Sequence, residues 1–584
     1  MLMILTGCGK NSSGAPERST ASHPLPEPPL VANCEAGVPG GRLVIATFGD
    51  PKTFNPITEN EQTSQDIIRH LFASLCGFDT PKQEATPGLA YSWSVAPDQK
   101  TWTFKLRKGL RWSDGEPLTA DDVVFTFQAL YDTNSVNALA DLQKVDGKPF
   151  TVTKVDDLTV QIVTPEIYAP FLESCAASVP IIPKHTLAQA LAAKKFDSAY
   201  GIDTPPAGLV CSGPFTLKQY KAGELVLLER NPWFFEVDTN GTRLPYFDSV
   251  IYTVVPDMNA MSLRFLKGES DVFEFIRPDE FEHFKTEAAS GKFKLLELGL
   301  GLEKAFLWFN MNPDSNEKTG KPHVDPKKLK WFQQKQFRQA VSYAIDRESI
   351  VKSIYAGRAE PSYGFIGREN PKWFNPAIQA YPFNLDKARA LLADIGIKDR
   401  DGDGLLEDAD GNPIEFVFNT NTGNNTRDKI AVLIQSDLKK LGFKVIYQPI
   451  EFNTLVDKID NSYDYDSVLL GLYGGGVDPA GNMNVILSSG FTHQWYPKQK
   501  SPATPWEARM DKLMNEQIKT LDAAQRKKYF DEVQTILNDE LPMIFTVAPQ
   551  VYAAIRSDIG NLRPTALSVY RVTWNVEELY FKKK

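Results

Sequence analysis

Between Thr101 and Leu106 the chain alternates apolar and polar side chains with period two. That pattern predicts a strand with one buried face. Leu89 to Trp93 is an apolar segment ahead of it, and Asp114-Gly115 after it marks a tight turn. Thr119, with Asp122 three residues later, has the spacing of a helix capping box, and Val123, Phe127 and Leu130 follow at helical spacing. The stretch therefore reads as strand, turn and capped helix. Upstream, Leu43-Val44-Ile45-Ala46 predicts a first strand, and Gly49 to Pro56 a loop. Ile67, Ile68, Leu71, Phe72 and Leu75 form a helical stripe suited to a core. Further strands are predicted at 158–163, 306–312 and 443–446. Helices are predicted at 337–347, with Phe337, Val341, Ala344 and Ile345 on one face, at 385–395 between Asn384 and Gly396, and at 427–441 before Gly442. This alternation predicts an α/β architecture.

Length sharpens the picture. At 584 residues, the chain exceeds one ordinary core and implies roughly two to four domains. A net charge of −9 and a pI near 5.5 argue against a nucleic-acid partner, which requires a basic face. No apolar run is long enough to span a bilayer. Leu5-Thr6-Gly7-Cys8 fits a bacterial lipobox, so 1–8 reads as the remnant of a lipoprotein signal with Cys8 as the lipidated residue. The Pro-, Ser-, Gly- and Ala-rich stretch that follows lacks an apolar period, and 9–41 reads as a flexible tether. Cys34, Cys76, Cys175 and Cys211 permit two disulfides in an exported protein. The pairings expected are Cys34–Cys76, pinning the tether to the helix after it, and Cys175–Cys211.

Candidate chemistry is sparse. The histidines are scattered without the i, i+4 spacing of a zinc helix, and neither a nucleophile elbow nor a phosphate loop occurs. Asp399, Asp401 and Asp403 with Gly404 have much of the spacing of a calcium loop, but Asp410 stands where a bidentate Glu is usual. A turn is the favoured reading, and no metal or cofactor is expected.

The wording of several segments carries more. Trp102-Thr103-Phe104-Lys105-Leu106-Arg107-Lys108-Gly109 and Trp112-Ser113-Asp114-Gly115 through Val123 closely resemble family 5 of the extracellular solute-binding proteins, the peptide- and nickel-binding receptors of ABC importers. So do Glu229-Arg230-Asn231-Pro232-Trp233, Gly268-Glu269-Ser270-Asp271 and Phe337 to Arg347. The resemblance implies an α/β fold of two lobes, the class II periplasmic-binding-protein type with an extra subdomain in the first lobe. The lobes are expected to be discontinuous, 42–305 with 542–584 and then 306–541, hinged near 306–310 and 541–545. It implies a receptor rather than an enzyme; a monomer is expected, and the lipobox at Cys8 would anchor it by lipid in the periplasm or at the outer face of the cytoplasmic membrane. Its partners would be a peptide or peptide-like solute and the ABC permease subunits. A secreted hydrolase and a sensory or scaffold receptor are the rival readings.

For the ligand, Tyr465 to Pro479 resembles the family's strand-to-loop element entering the cleft. Gly475 stands where peptide receptors of the family place an Asp for the ligand's amine, and Asn419 to Gly423 holds no Arg for its carboxylate. A free dipeptide is therefore disfavoured. Cleft walls are expected from Phe48, Asp50, Asn419, Asn421, Tyr473, Gly474, Gly475 and Asp478. Asp478 is either an anchor for a cationic group or a cap of its own loop.

Overall fold

The computed structural model describes residues 23–582 apart from 136, 138 and 473–476. Its larger sheet is eight-stranded, and Arg42–Thr47 lies near its middle. Leu43 and Ile45 are buried in one core, and Ala46 points into a second. Ser249–Val254 runs parallel on one side, and Val272–Phe273 pairs on the other. Beyond Val272–Phe273 comes Val547–Arg556, antiparallel to Phe293–Leu300. The second sheet has five strands in the order Lys444–Ile450, Glu415–Asn421, Ser467–Leu472, Lys304–Phe309 and Ile544–Phe545. The chain crosses between sheets at Gly301–Glu303 and at Thr546, and between them Ala359–Pro361 returns to pair with Val547–Arg556 as the eighth strand of the larger sheet, although it falls within the 306–541 expected for the second lobe. The crossings are tied where the Thr546 amide and hydroxyl both donate to the Ala305 carbonyl, at 3.0 and 2.8 Å.

A separate four-stranded sheet holds Ala90–Val95, Thr101–Leu106, Thr159–Val163 and Thr151–Asp156. Phe104 and Leu106 are buried while Lys105 is exposed, and Trp102 stacks on Phe171 at 4.6 Å. The capping box forms. Asp122 accepts from the Thr119 amide at 2.9 Å, and the helix runs Ala120–Leu130. Asn384 caps Leu385–Asp394, and Gly442, at φ 109°, ends Asn425–Leu441 in the left-handed region. The helix expected to reach 347 stops at Ala344. Ile345 turns extended there, and Asp346 accepts from the Ser349 amide to cap a new helix, Arg347–Ser353.

Two expectations are corrected. The described part of the supposed tether, 23–41, lies along the folded body. Leu30–Val31 pairs in parallel with Glu236–Val237, and Ala32 is buried. The Arg107 guanidinium donates to the Pro28 carbonyl at 2.7 Å, and Arg243 to those of His23 and Pro24. These contacts join residues remote in sequence, so composition did not reveal them. The expected disulfides are also absent among the described residues, where all four cysteines are free thiols. Cys175 lies beside Cys76 rather than Cys211, and the Cys211 thiol faces the Ser113 hydroxyl and the Phe215 carbonyl. No helix among the described residues is long and apolar enough to cross a membrane.

Candidate functional site

A cavity of about 750 Å³ lies between the two sheets and takes its lining from both. From the first lobe come Phe48, at the end of the central strand, and Asp66 and Arg69 on the helix Gln62–Leu71. Ile67, Ile68 and Leu71 of that helix are buried in the core. Its polar side thereby faces the cavity. From the second lobe come Asn421, at the end of its strand, Arg427 in the first turn of Asn425–Leu441, and Asp460. Ligands of open α/β sheets sit at such strand ends.

The lobes meet across this cavity. Lys52 pairs with Asp457 at 2.9 Å, and Asp279 with Lys429 at 2.8 Å. The Asn60 amide donates to Asp460 at 2.6 Å. The Gly423 carbonyl accepts from the Met258 amide at 3.4 Å, with Gly423 at φ 88° and open to the approaching backbone. The arrangement is a closed one.

The lining is rich in charge. Arg69 donates to the Thr573 carbonyl at 3.0 Å and lies 3.7 Å over the Tyr570 ring. Glu274 accepts from the amides of Val572 and Thr573 at 2.7 and 3.1 Å; burial raises its carboxyl against the pull of these bonds and of Arg69 and Arg571. Arg427 donates to Asn421 at 2.6 Å and stands 3.7 Å from Glu303. Asp66 accepts from Gln62 at 2.7 Å and from the Tyr570 hydroxyl at 3.1 Å, yet burial pushes it up to about 6. Burial and the neighbouring Glu61 charge push Glu59 up to about 8, and burial pushes Asp460 up to about 7.

Of the residues expected at the site, Phe48 and Asn421 line the cavity. Asp50 is spent elsewhere. Its carboxylate accepts from the Tyr220 hydroxyl at 3.2 Å and from the Gly223 amide at 3.0 Å, closing the hairpin between Phe215–Lys221 and Leu225–Arg230. The Asn419 amide donates to the Gln448 carbonyl at 2.8 Å, and the residue borders a different depression, beside Lys321 and Asp466. Asp478 is buried away from the cavity lining; it pairs with Arg526 at 2.6 Å and accepts from the Ala480 amide at 3.0 Å. It is a cap. Tyr473, Gly474 and Gly475 lie outside the described residues. No basic residue stands within 419–423, but Arg427, a few positions later, lines the cavity. Asp66 and Arg69 were hidden in a helix read by its apolar stripe; their i, i+3 spacing on the opposite face was the available signal.

The acidic loop forms a turn. Asp399 accepts from the amides of Gly402 and Gly404 at 2.7 and 3.0 Å, and Asp401 and Asp403 each accept from an amide two residues on. His70, His185 and His493 are each engaged separately, by Tyr252, Asp114 and Glu507.

The family model for bacterial extracellular solute-binding proteins, family 5, matches residues 84–494. The chain belongs to that family. Family 5 consists of solute-binding receptors, and its two-lobe fold is the one described above. A probable ABC transporter-binding protein of Deinococcus radiodurans is 30% identical over 88% of this chain and 88% of its own length. The oligopeptide-binding protein AppA of Bacillus subtilis is 28% identical, over 100% of this chain and 97% of its own. Its structure with a nonapeptide superposes at a TM-score of 0.80, covering 94% of this receptor and 100% of that chain. The binding protein MelB of Agrobacterium fabrum, solved with stachyose, reaches 0.83 at 24% identity over 96% of this chain and 89% of its own, a likeness of fold.

Proposed function

We propose that this receptor captures a peptide or peptide-like solute between its lobes and delivers it to the permease of an ABC importer. The observation that carries the reading is the interlobe cavity of about 750 Å³, lined by buried carboxylates, guanidinium groups and amides from both lobes. That volume falls in the range of roughly 300–1,000 Å³ common to small-ligand sites. AppA, a full-length relative named for oligopeptides, supports the solute class. The crossings at Gly301–Glu303 and Thr546 are the natural hinge. Closure would be driven by the solute's higher affinity for the closed form, in which its hydrogen bonds to protein replace those to water. In this reading the protein acts as a monomer without catalysis or cofactor. Cys8 would carry a lipid that holds it in the periplasm or at the outer face of the cytoplasmic membrane.

The test is native mass spectrometry of the purified protein, with acid extraction of what it carries, followed by thermal-shift titration with pools of di- to nonapeptides. A bound peptide recovered intact, and stabilisation by matching peptides, is the expected result. Failure of every pool to raise the melting temperature, with no peptide extracted, would sink the assignment. Cleavage of the peptides during incubation would replace it with a hydrolase.

A further inference from the structure

The charges lining the interlobe cavity do not cancel. Among the described residues that line it no lysine occurs, and its four guanidinium groups each lie near acids of their own. Arg277 is bracketed by Asp279 and Glu280 at 3.2 and 2.9 Å. Arg427 faces Glu303. Arg69 and Arg571 lie against the Thr573 and Glu274 carbonyls, and Glu274 feels the charge of both. Glu61 is consumed in capping the helix Gln62–Leu71, accepting from the Ser64 and Thr63 amides. Four lining carboxylates are without an ion pair among the described residues: Glu59, Asp66, Asp460, and Glu173, which feels the charges of Asp478, Lys372 and Arg526. Asp66 has Gln62 and Tyr570 as hydrogen-bond donors and the Arg69 charge near it; Asp460 has Asn60, with Lys52 and Lys498 acting from further away; Glu59 has the Glu61 amide.

A second observation points to the same kind of occupant. Gln494 is 6% exposed, lines the cavity, and its Oε1 has no donor among the described residues, while the Nε groups of Arg69 and Arg427 lack acceptors, as a peptide with both N–H and C=O groups would supply. Buried acceptors and unpaired carboxylates that are buried, as Asp460 is, or partly buried, as Glu59 and Asp66 are, are costly, and both are relieved by a ligand that brings N–H groups with positive charge. Glu59 and Asp460 belong to different lobes, and Asn60, next to Glu59, bonds Asp460 directly. Asp460 is thus tied to the segment that carries Glu59.

We propose that the solute is cationic, a peptide with at least one basic side chain, and that Glu59, Asp66 and Asp460 receive its charge; this rests on the solute-receptor reading above. Burial holds these carboxyls above their ordinary range. A cation entering would favour their ionised forms and displace protons.

The experiment uses the full chain and isothermal titration calorimetry with three free-ended alanine pentapeptides, carrying lysine, glutamine or glutamate at the centre, and with spermidine as a non-peptide cation. The expected order is lysine over glutamine over glutamate, with at least a tenfold gap between the extremes that narrows in high salt. In Glu59→Gln and Asp460→Asn the lysine-to-glutamine preference should shrink at least threefold, with the unliganded variants melting no lower than the parent. Peptides that bind without this order, or a preference unmoved in both variants, would overturn the charge assignment while leaving a peptide receptor. Spermidine binding without any peptide would remove the peptide reading and keep the charge. Binding of none of the four would remove both.

Discussion

Asp478 shows how one residue can be read twice. Beside a proline and after glycines it looks equally suited to a ligand's amine or to a local cap. Its buried partner decides the matter, since Arg526 lies 2.6 Å away and itself donates to Gln517. Asp478→Asn should therefore lower the stability of the unliganded protein by about 1.5–3 kcal/mol, the scale of a charged hydrogen bond, and leave the affinity per folded molecule as it was. Urea unfolding alongside peptide titration checks both halves; a loss of affinity at unchanged stability would return Asp478 to the site. Sequence could not settle this because Arg526 is 48 positions away. Thr119 and Asp122 were legible for the opposite reason, since a capping box closes within four residues. The same locality exposed Asn384 and Gly442, and left Arg69, whose partner is Thr573, unread.

At the scale of elements, the segment before the central strand was the largest misreading. Its prolines and glycines carry no period, but a backbone laid against a body needs none. Residues 23–41 contribute the Leu30–Val31 pairing, buried Ala32, and carbonyls that receive Arg107 and Arg243. Both guanidinium groups have their charged state disfavoured by burial, so losing these acceptors leaves costly donors behind. A chain beginning at Arg42 should melt several degrees below one beginning at His23, as scanning calorimetry would read. Equal melting temperatures would mean that the segment only rests on the surface. The strands and helices of both sheets were more visible, because each shows the period of its own burial. Their assignment to sheets was not readable from period, since Val547–Arg556 lies between Val272–Phe273 and Phe293–Leu300, both far earlier in the chain.

For the whole molecule, the acids of the interlobe cavity leave a signature in pH. Glu59, Asp66, Asp460 and Glu173 all line the cavity, and burial pushes them up to about 8, 6, 7 and 7. The folded chain therefore holds protons that the unfolded chain has already lost above its ordinary carboxyl range. Stability from such groups is complete below their ordinary values, 3.8 for the Asp and 4.5 for the Glu residues, and disappears as pH rises through their folded values. His70 acts in the opposite sense: burial holds it well below its ordinary value, so the fold gains stability as pH rises towards 6.5 and nothing more above that. Glu507 matters lower still. Burial alone would raise it, but the bonds of His493, Gln499 and Thr504 hold it down to about 2, and its contribution is lost only in acid. Between pH 6.5 and 8.5 the cavity acids act together with Glu577, which burial pushes up to about 7, and Glu236, which burial raises well above its ordinary value, and the unliganded receptor should melt progressively lower across that interval. Glu59→Gln should flatten the decline, because a neutral amide has no proton to give up. Saturation with the lysine pentapeptide should flatten it too, since the bound cation favours the ionised carboxylates and the complex sheds its protons on binding. A melting temperature that holds steady or climbs between pH 6.5 and 8.5 in the unliganded protein would mean that these carboxylates are solvated in an open cleft, and that closure waits for the solute.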